Sequence, residues 1–151
     1  MEQILREETI GYLGLAMDGR PYVVPLNYGY LEGKILFHCA WTGQKLDYLR
    51  ANPQECFAVG RQTGEISRHA GGNPCHVDSG SALCYGTAHI LNDPEEHRQA
   101  LNDFQRCFRP ETAEITPEAA ADCCAVEIAI TEMTGRRESS RARLLALPVL
   151  A

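Results

Sequence analysis

No apolar stretch of this chain approaches the roughly 20 residues that a membrane-spanning helix needs. No run of lysine and arginine occurs, and the formal charge is -6, which argues against a nucleic-acid surface. None of the seven cysteines forms a C-x-x-C pair, and their number is odd. Neither a disulfide framework nor a structural zinc site is expected from that pattern. The nearest approach to a ligand set is His69…Cys75-His76, which lacks paired spacing, so no metal is expected. Cys39, Cys56, Cys84 and Cys124 fall in strand-like runs, where cysteine behaves as a small apolar residue. The opening MEQILREETIGYL carries Glu2, Glu7 and Glu8 and does not read as a secretory signal. A cytoplasmic protein with reduced thiols is expected, with no membrane and no nucleic-acid partner. There is no internal repeat and no linker. At 151 residues a single domain is expected over 1–151, with 136–151 as its tail.

What is present is short-period hydrophobic patterning. Ile10–Met17 reads as a strand, and Asp18-Gly19 as its hairpin turn. Glu55–Gln62, Ala82–Ile90 and Cys124–Met133 read as further strands, and Glu2–Glu8 as a short helix. Thr63–Pro74 is polar and glycine-rich, and reads as a mobile connector. Asp93-Pro94 opens a helix whose buried stripe is His97, Ala100, Leu101, Phe104 and Phe108. Thr116-Pro117 opens a shorter one in the same way. Five or six strands with hairpin links predict a mainly β protein, an antiparallel barrel with peripheral helices.

The segment Pro21–Pro53 carries the functional signal. Tyr22, Val24, Leu26, Tyr28 and Tyr30 alternate on one face of a strand. Leu31-Glu32-Gly33-Lys34 reverses the chain, and Ile35, Phe37, Cys39 and Trp41 alternate on the return strand, with Leu36, His38 and Ala40 opposite. Thr42 is placed to cap the helix that follows, and Asn52-Pro53 ends it. The N–H groups of its first turn favour an anion. Gly43 and Lys45 sit at that start, and Lys45 adds a full positive charge. A hairpin feeding such a helix suits a phosphate at one end and a flat ring along its strands, as flavin mononucleotide (FMN) requires. Pro25 cannot donate to a sheet ladder, so its strand faces a ligand or an edge.

Here the chain resembles the FMN-binding split β-barrel family related to pyridoxamine 5'-phosphate oxidase, especially its nitroimidazole-resistance-like branch. The matching residues are Gly11-Tyr12-Leu13, Gly19-Arg20-Pro21-Tyr22, Val24-Pro25-Leu26-Asn27-Tyr28-Gly29-Tyr30, His38-Cys39-Ala40 with Gly43-Gln44-Lys45-Leu46-Asp47, Asn52-Pro53 and Ser81-Ala82-Leu83-Cys84-Tyr85-Gly86. The resemblance implies a Greek-key-like split barrel and a homodimer with flavin sites at the interface. It implies that Val24, Pro25, Leu26 and Asn27 line the isoalloxazine ring, facing His38, Cys39 and Ala40. Thr42, Gly43, Gln44 and Lys45 would hold the phosphate, with Gln44 where many relatives carry arginine. Ser81 and Tyr85 would approach from their own strand. His38 is the candidate for substrate contact or catalysis.

The expectation is therefore an FMN-dependent oxidoreductase or reductase acting on a small molecule, nitroimidazole reduction among the possibilities, with NAD(P)H as a possible reductant. Pyridoxamine phosphate oxidation itself is not expected, because the hairpin lacks the arginine–lysine pair of those oxidases. The alternative is a non-catalytic flavin- or haem-binding carrier or sensor, with His38, His69, His76 and His89 as the available axial ligands.

Overall fold

The computed structural model describes residues 1–68 and 74–138. The order of elements is α1 (Glu2–Glu7), β1 (Ile10–Met17), β2 (Arg20–Asn27), β3 (Gly29–Leu31), β4 (Lys34–Cys39), α2 (Gln44–Ala51), β5 (Gln54–Arg68), β6 (Pro74–Ile90), α3 (Pro94–Phe108), α4 (Pro117–Ala120) and β7 (Cys124–Glu138). All ladders among the described residues are antiparallel, and the sheet order is β2-β1-β5-β6-β7-β4-β3. The outermost strands, β2 and β3, are separated in sequence by Tyr28 alone. A sheet whose two edges are joined by one residue must curl until those edges meet. The result is a barrel with one unzipped seam, the mainly β split barrel expected.

The seam corrects one expectation. Tyr22 to Tyr30 is not a single strand: the chain kinks at Tyr28, and its two halves join opposite edges of the sheet. Close packing explains the break. A Cβ at Gly29 would lie 2.8 Å from Cys107 Sγ, so the chain passes against α3 there without a side chain. Tyr28 is 2% exposed, donates its hydroxyl to the Leu5 carbonyl at 3.0 Å and meets Phe57 edge-on. The turns are as expected: Asp18-Gly19 and Glu32-Gly33 all take positive φ, the two-residue hairpin geometry whose twist matches the strands.

A second correction concerns Thr63–Pro74. β5 continues to Arg68 and β6 begins at Pro74, with register shifts after Gln62 and after Ser67. Most of the expected connector is thus a strand extension, because pairing with a long neighbour satisfies its backbone. His69 lies outside the described residues, as do the side chains of Cys75 and His76 and the tail 139–151. Among the described residues no group of three or more His, Cys, Asp or Glu could hold a metal. No described helix is long and apolar enough to cross a membrane.

Inside the barrel, Leu13, Leu15, Ile35, Phe37, Phe57, Val59, Val126 and Ile128 form the core, joined by Leu5 of α1 and by Leu46, Tyr48 and Leu49 of α2. Each such side chain contributes about 1.5–3 kcal/mol by leaving water. A second cluster, Leu36, Ala100, Leu101, Ala120 and Ala125, fixes α3 and α4 outside the barrel. Asp93 caps α3 by accepting from the N–H groups of Glu95 and Glu96, and Thr116 caps α4 through Ala119. The expected α3 stripe holds to Phe104. Phe108, the last residue of the helix, is 41% exposed and touches only the Phe104 ring among the ring contacts.

Candidate functional site

Helix α2 bridges the seam. On one side Tyr48 packs its ring 5.1 Å from that of Tyr22 on β2. On the other, Lys45 places its Nζ 5.4 Å from the centre of the Phe37 ring on β4. The two arms of the segment Pro21–Pro53 are therefore brought together by the helix rather than by pairing with each other. β2 pairs with β1 alone, and β4 with β3 and β7. The expected facing of Val24–Asn27 by His38–Ala40 as neighbouring strands is corrected on this point.

The start of α2 differs from its prediction. Gly43, not Thr42, is the capping residue, at φ 132°, and no side chain caps the helix. Thr42, Gly43 and Gln44 are exposed, and Lys45 is half-buried. The Leu46 and Asp47 N–H groups donate to the Gly43 carbonyl. Those of Gln44 and Lys45 have no acceptor among the described residues. A Cβ at Gly43 would meet no atom within 4 Å, so the approach is open. α3 and α4 carry side-chain caps, whereas α2 presents free donors beside an ammonium.

β2 is an edge strand, which accounts for Pro25. Val24 and Leu26 pack against the core, Pro25 is exposed, and the Asn27 side-chain amide donates to the Thr9 carbonyl at 3.1 Å. On β4, His38 is exposed and meets Phe104 of α3 edge-on, with ring centres 4.9 Å apart. Cys39 is half-buried opposite Cys124 in the register, and Ala40 lies just past the strand. Trp41 stacks on His97 and donates its indole N–H to the Ala121 carbonyl, a packing role. Burial pushes the Cys84 thiol up to about 12 and that of Cys124 up to about 11, so both are thiols at neutral pH and behave as core residues.

Ser81 and Tyr85 sit on β6, three places from β2 in the sheet order. Register nevertheless puts them on the same side of the sheet as Pro25. Tyr12 opposes both Pro25 and Ala58, Ala58 opposes Leu83, Gly14 opposes both Val23 and Cys56, Cys56 opposes Tyr85, and Gly60 opposes Ser81. Opposed residues share a face. The face is apolar and open: Tyr12 is 49%, Val23 62% and Tyr85 39% exposed. It forms a shallow hollow of about 560 Å³.

Sequence reading missed two polar groups. The Tyr48 hydroxyl is buried without a hydrogen-bond partner among the described residues. Glu55, which lines the shallow hollow, is 6% exposed, and neither carboxylate oxygen has a partner among the described residues. Burial alone raises its pKa from 4.5 to about 8, so it holds a proton at neutral pH. Nothing local distinguishes this glutamate from a solvated one at a strand's start.

The comparisons with known proteins agree with this geometry. The family model described as pyridoxamine 5'-phosphate oxidase matches residues 1–137. A protein from Bacteroides thetaiotaomicron described as a 5-nitroimidazole antibiotic resistance protein superposes with a TM-score of 0.77 at 25% identity, over 89% of this chain and 80% of its own. An FAD-binding protein from Mesorhizobium loti gives 0.69 at 24% identity, over 91% and 92%. The FAD and haem binding protein from Mycobacterium smegmatis gives 0.75 at 18% identity, over 95% and 74%. No curated protein matches the chain. With a seamed antiparallel barrel, a bridging helix across the seam and a family match over nearly its whole length, the chain belongs to the pyridoxamine 5'-phosphate oxidase family.

Proposed function

We propose that this protein is a homodimeric FMN-binding flavoprotein, a small flavin-dependent oxidoreductase that uses NAD(P)H to reduce a small aromatic substrate. The observation that carries this reading is the uncapped start of α2 beside Lys45. A phosphate dianion needs several donors and a counter-charge when it leaves water. The Gln44 and Lys45 N–H groups, the Lys45 ammonium and the open space at Gly43 supply that donor set, so the residues present fit a flavin phosphate. The neighbouring FAD-binding proteins support the same cofactor class. A bound flavin supplies hydride and electron transfer.

The chain's own residues then do the following. Lys45 and the first turn of α2 anchor the phosphate. The outward backbone groups of the β2 edge, from Val24 to Asn27, offer donors and acceptors to the polar rim of the ring at no side-chain cost. His38, exposed on β4, is the side chain available to meet substrate. The apolar face around Tyr12, Val23 and Tyr85 docks a second copy of the chain. That pairing excludes water and carries Ser81 and Tyr85 of one protomer towards the seam of the other. The similarity to a protein described as conferring nitroimidazole resistance makes a nitroaromatic the first substrate to assay.

The reading is tested by titrating flavin-stripped protein with FMN and with FAD while following flavin fluorescence. Saturable quenching by FMN supports it, and bleaching of the bound flavin by NADPH, reversed by a nitroaromatic, supports the reductase role. No quenching by either flavin overturns it. A flavin that binds but never bleaches with NADH or NADPH would leave the carrier reading instead.

A further inference from the structure

The barrel end beneath α1 holds an arginine-lined cavity that the flavin reading does not use. It has a volume of about 480 Å³ and is lined by Arg61, Arg136, Arg137 and Thr63 beside Gln3 and Ile4 of α1. No acidic residue lines it among the described residues, in a chain whose formal charge is -6.

Register explains the opening. Arg61 on β5 opposes Gly80 on β6, and Gly80 opposes Arg137 on β7. The three form one cross-strand row, so both arginines project to the same side with a glycine between them. Adjacent strands are about 4.8 Å apart, which sets the arginine backbones about 10 Å apart. The glycine between them lets α1 pack onto the row: a Cβ at Gly80 would come within 2.7 Å of Ile4 Cδ1. Charge is only partly met within the chain. Arg61 reaches Glu7 and Glu8 with one terminal nitrogen, yet its Nε is buried without a partner. Arg136 pairs with Glu138. Arg137 forms no ion pair among the described residues.

We propose that this cavity binds a phosphorylated organic anion of mononucleotide size, its phosphate held by Arg61 and Arg137. Guanidinium groups bind phosphate through paired, parallel hydrogen bonds. The volume exceeds what inorganic phosphate needs and falls in the range of small-molecule sites. The hydroxyl group of Thr63 offers a contact for the rest of the ligand. The site stands apart from the phosphate position at α2 and does not depend on it.

The test uses AMP as probe and inorganic phosphate as its control, by isothermal titration of the FMN-saturated protein. AMP should bind, more tightly than phosphate. Arg137→Gln should weaken AMP at least tenfold with circular dichroism unchanged. Arg137→Lys, which keeps the charge but loses the fork, should recover part of that loss. Lys45→Ala should leave AMP binding as it was. Absence of AMP heat at millimolar concentration overturns the proposal, as does equal binding by Arg137→Gln. It also falls if AMP binds flavin-stripped protein and excess FMN expels it, since the cavity would then belong to the flavin.

Discussion

Removing the charge that Glu55 acquires at alkaline pH should stabilise the protein, and by an amount that grows with pH. The carboxyl is 6% exposed, with neither oxygen partnered among the described residues. The neighbouring Cys56 and Cys84 thiols both titrate above their ordinary values, burial first and Glu55 among the causes. Among the described residues no cation contributes to the Glu55 shift. The folded pKa is about 8 against an ordinary 4.5. The unfolded chain therefore releases this proton near pH 4.5, while the folded chain keeps it to about pH 8. Between those values the native state binds more protons, so stability falls as pH rises and levels off above pH 8.

At about 1.4 kcal/mol per pH unit, the full separation corresponds to an upper limit of about 5 kcal/mol. Local relaxation and water entry around a carboxylate reduce such figures, and about 2–3 kcal/mol is the expected loss. Glu55→Gln keeps the shape and the neutral state. Urea midpoints of the two proteins, taken from pH 3.5 to pH 8.5 in one flavin state and at one concentration, should differ by a constant below about pH 4. The curves should then diverge, with the variant the more stable by about 2–3 kcal/mol at pH 8.5. Curves that stay parallel across the whole range would show that Glu55 ionises without cost, and the burial argument would be wrong.

Other substitutions probe the proposed site directly. Lys45→Ala removes one charge-assisted contact and should weaken FMN binding by about 1.5–3 kcal/mol, roughly ten- to a hundred-fold in a fluorescence titration; unchanged affinity removes the phosphate from α2. His38→Ala gives up an edge-on ring contact worth about 0.5–1.5 kcal/mol, so the fold should survive while the flavin spectrum or its reduction rate changes. A variant that loses stability with an unaltered spectrum makes His38 a packing residue. Val23→Asp puts a charge into the open apolar face and should halve the mass measured by light scattering, and a mass unaffected by the change places the dimer contact elsewhere.

Local chemistry made much of the fold readable from the chain. Asp18-Gly19 and Gly33 declare their hairpins because such residues tolerate positive φ, while Glu32 takes positive φ against its own preference. Asp93-Pro94 and Thr116-Pro117 announce helix starts because cap and proline act within one turn. Alternation in Ile10–Met17 and Cys124–Met133 reports one buried face. None of these signals says which strand lies beside which. The alternation from Tyr22 through Tyr30 is unbroken in the sequence, yet the chain kinks at Tyr28 because α3, far along the sequence, presses Cys107 against Gly29. The extension of β5 and β6 through a polar segment was hidden for the same reason, since among the described residues each extension pairs with the other.

That kink is also why a hairpin was the wrong picture of the candidate site and a seam is a better one. A ring laid along two paired strands would have to compete with their ladder for backbone groups. A ring laid at an edge does not, because edge groups lack a partner within the chain. Pro25 is tolerated on β2 for that reason, and the residues that bridge the opening, Lys45 over Phe37 and Tyr48 against Tyr22, belong to a helix free to leave its first turn uncapped. The outer face of β2, β1, β5 and β6 presents the exposed Tyr12, Val23 and Tyr85. β2 belongs both to the seam and to that face, so a ligand at the first and a second copy of the chain on the second would order the same strand, each favouring the other. A flavin affinity that rises with protein concentration through the dimerisation range would carry that coupling, and an affinity independent of it would separate the two.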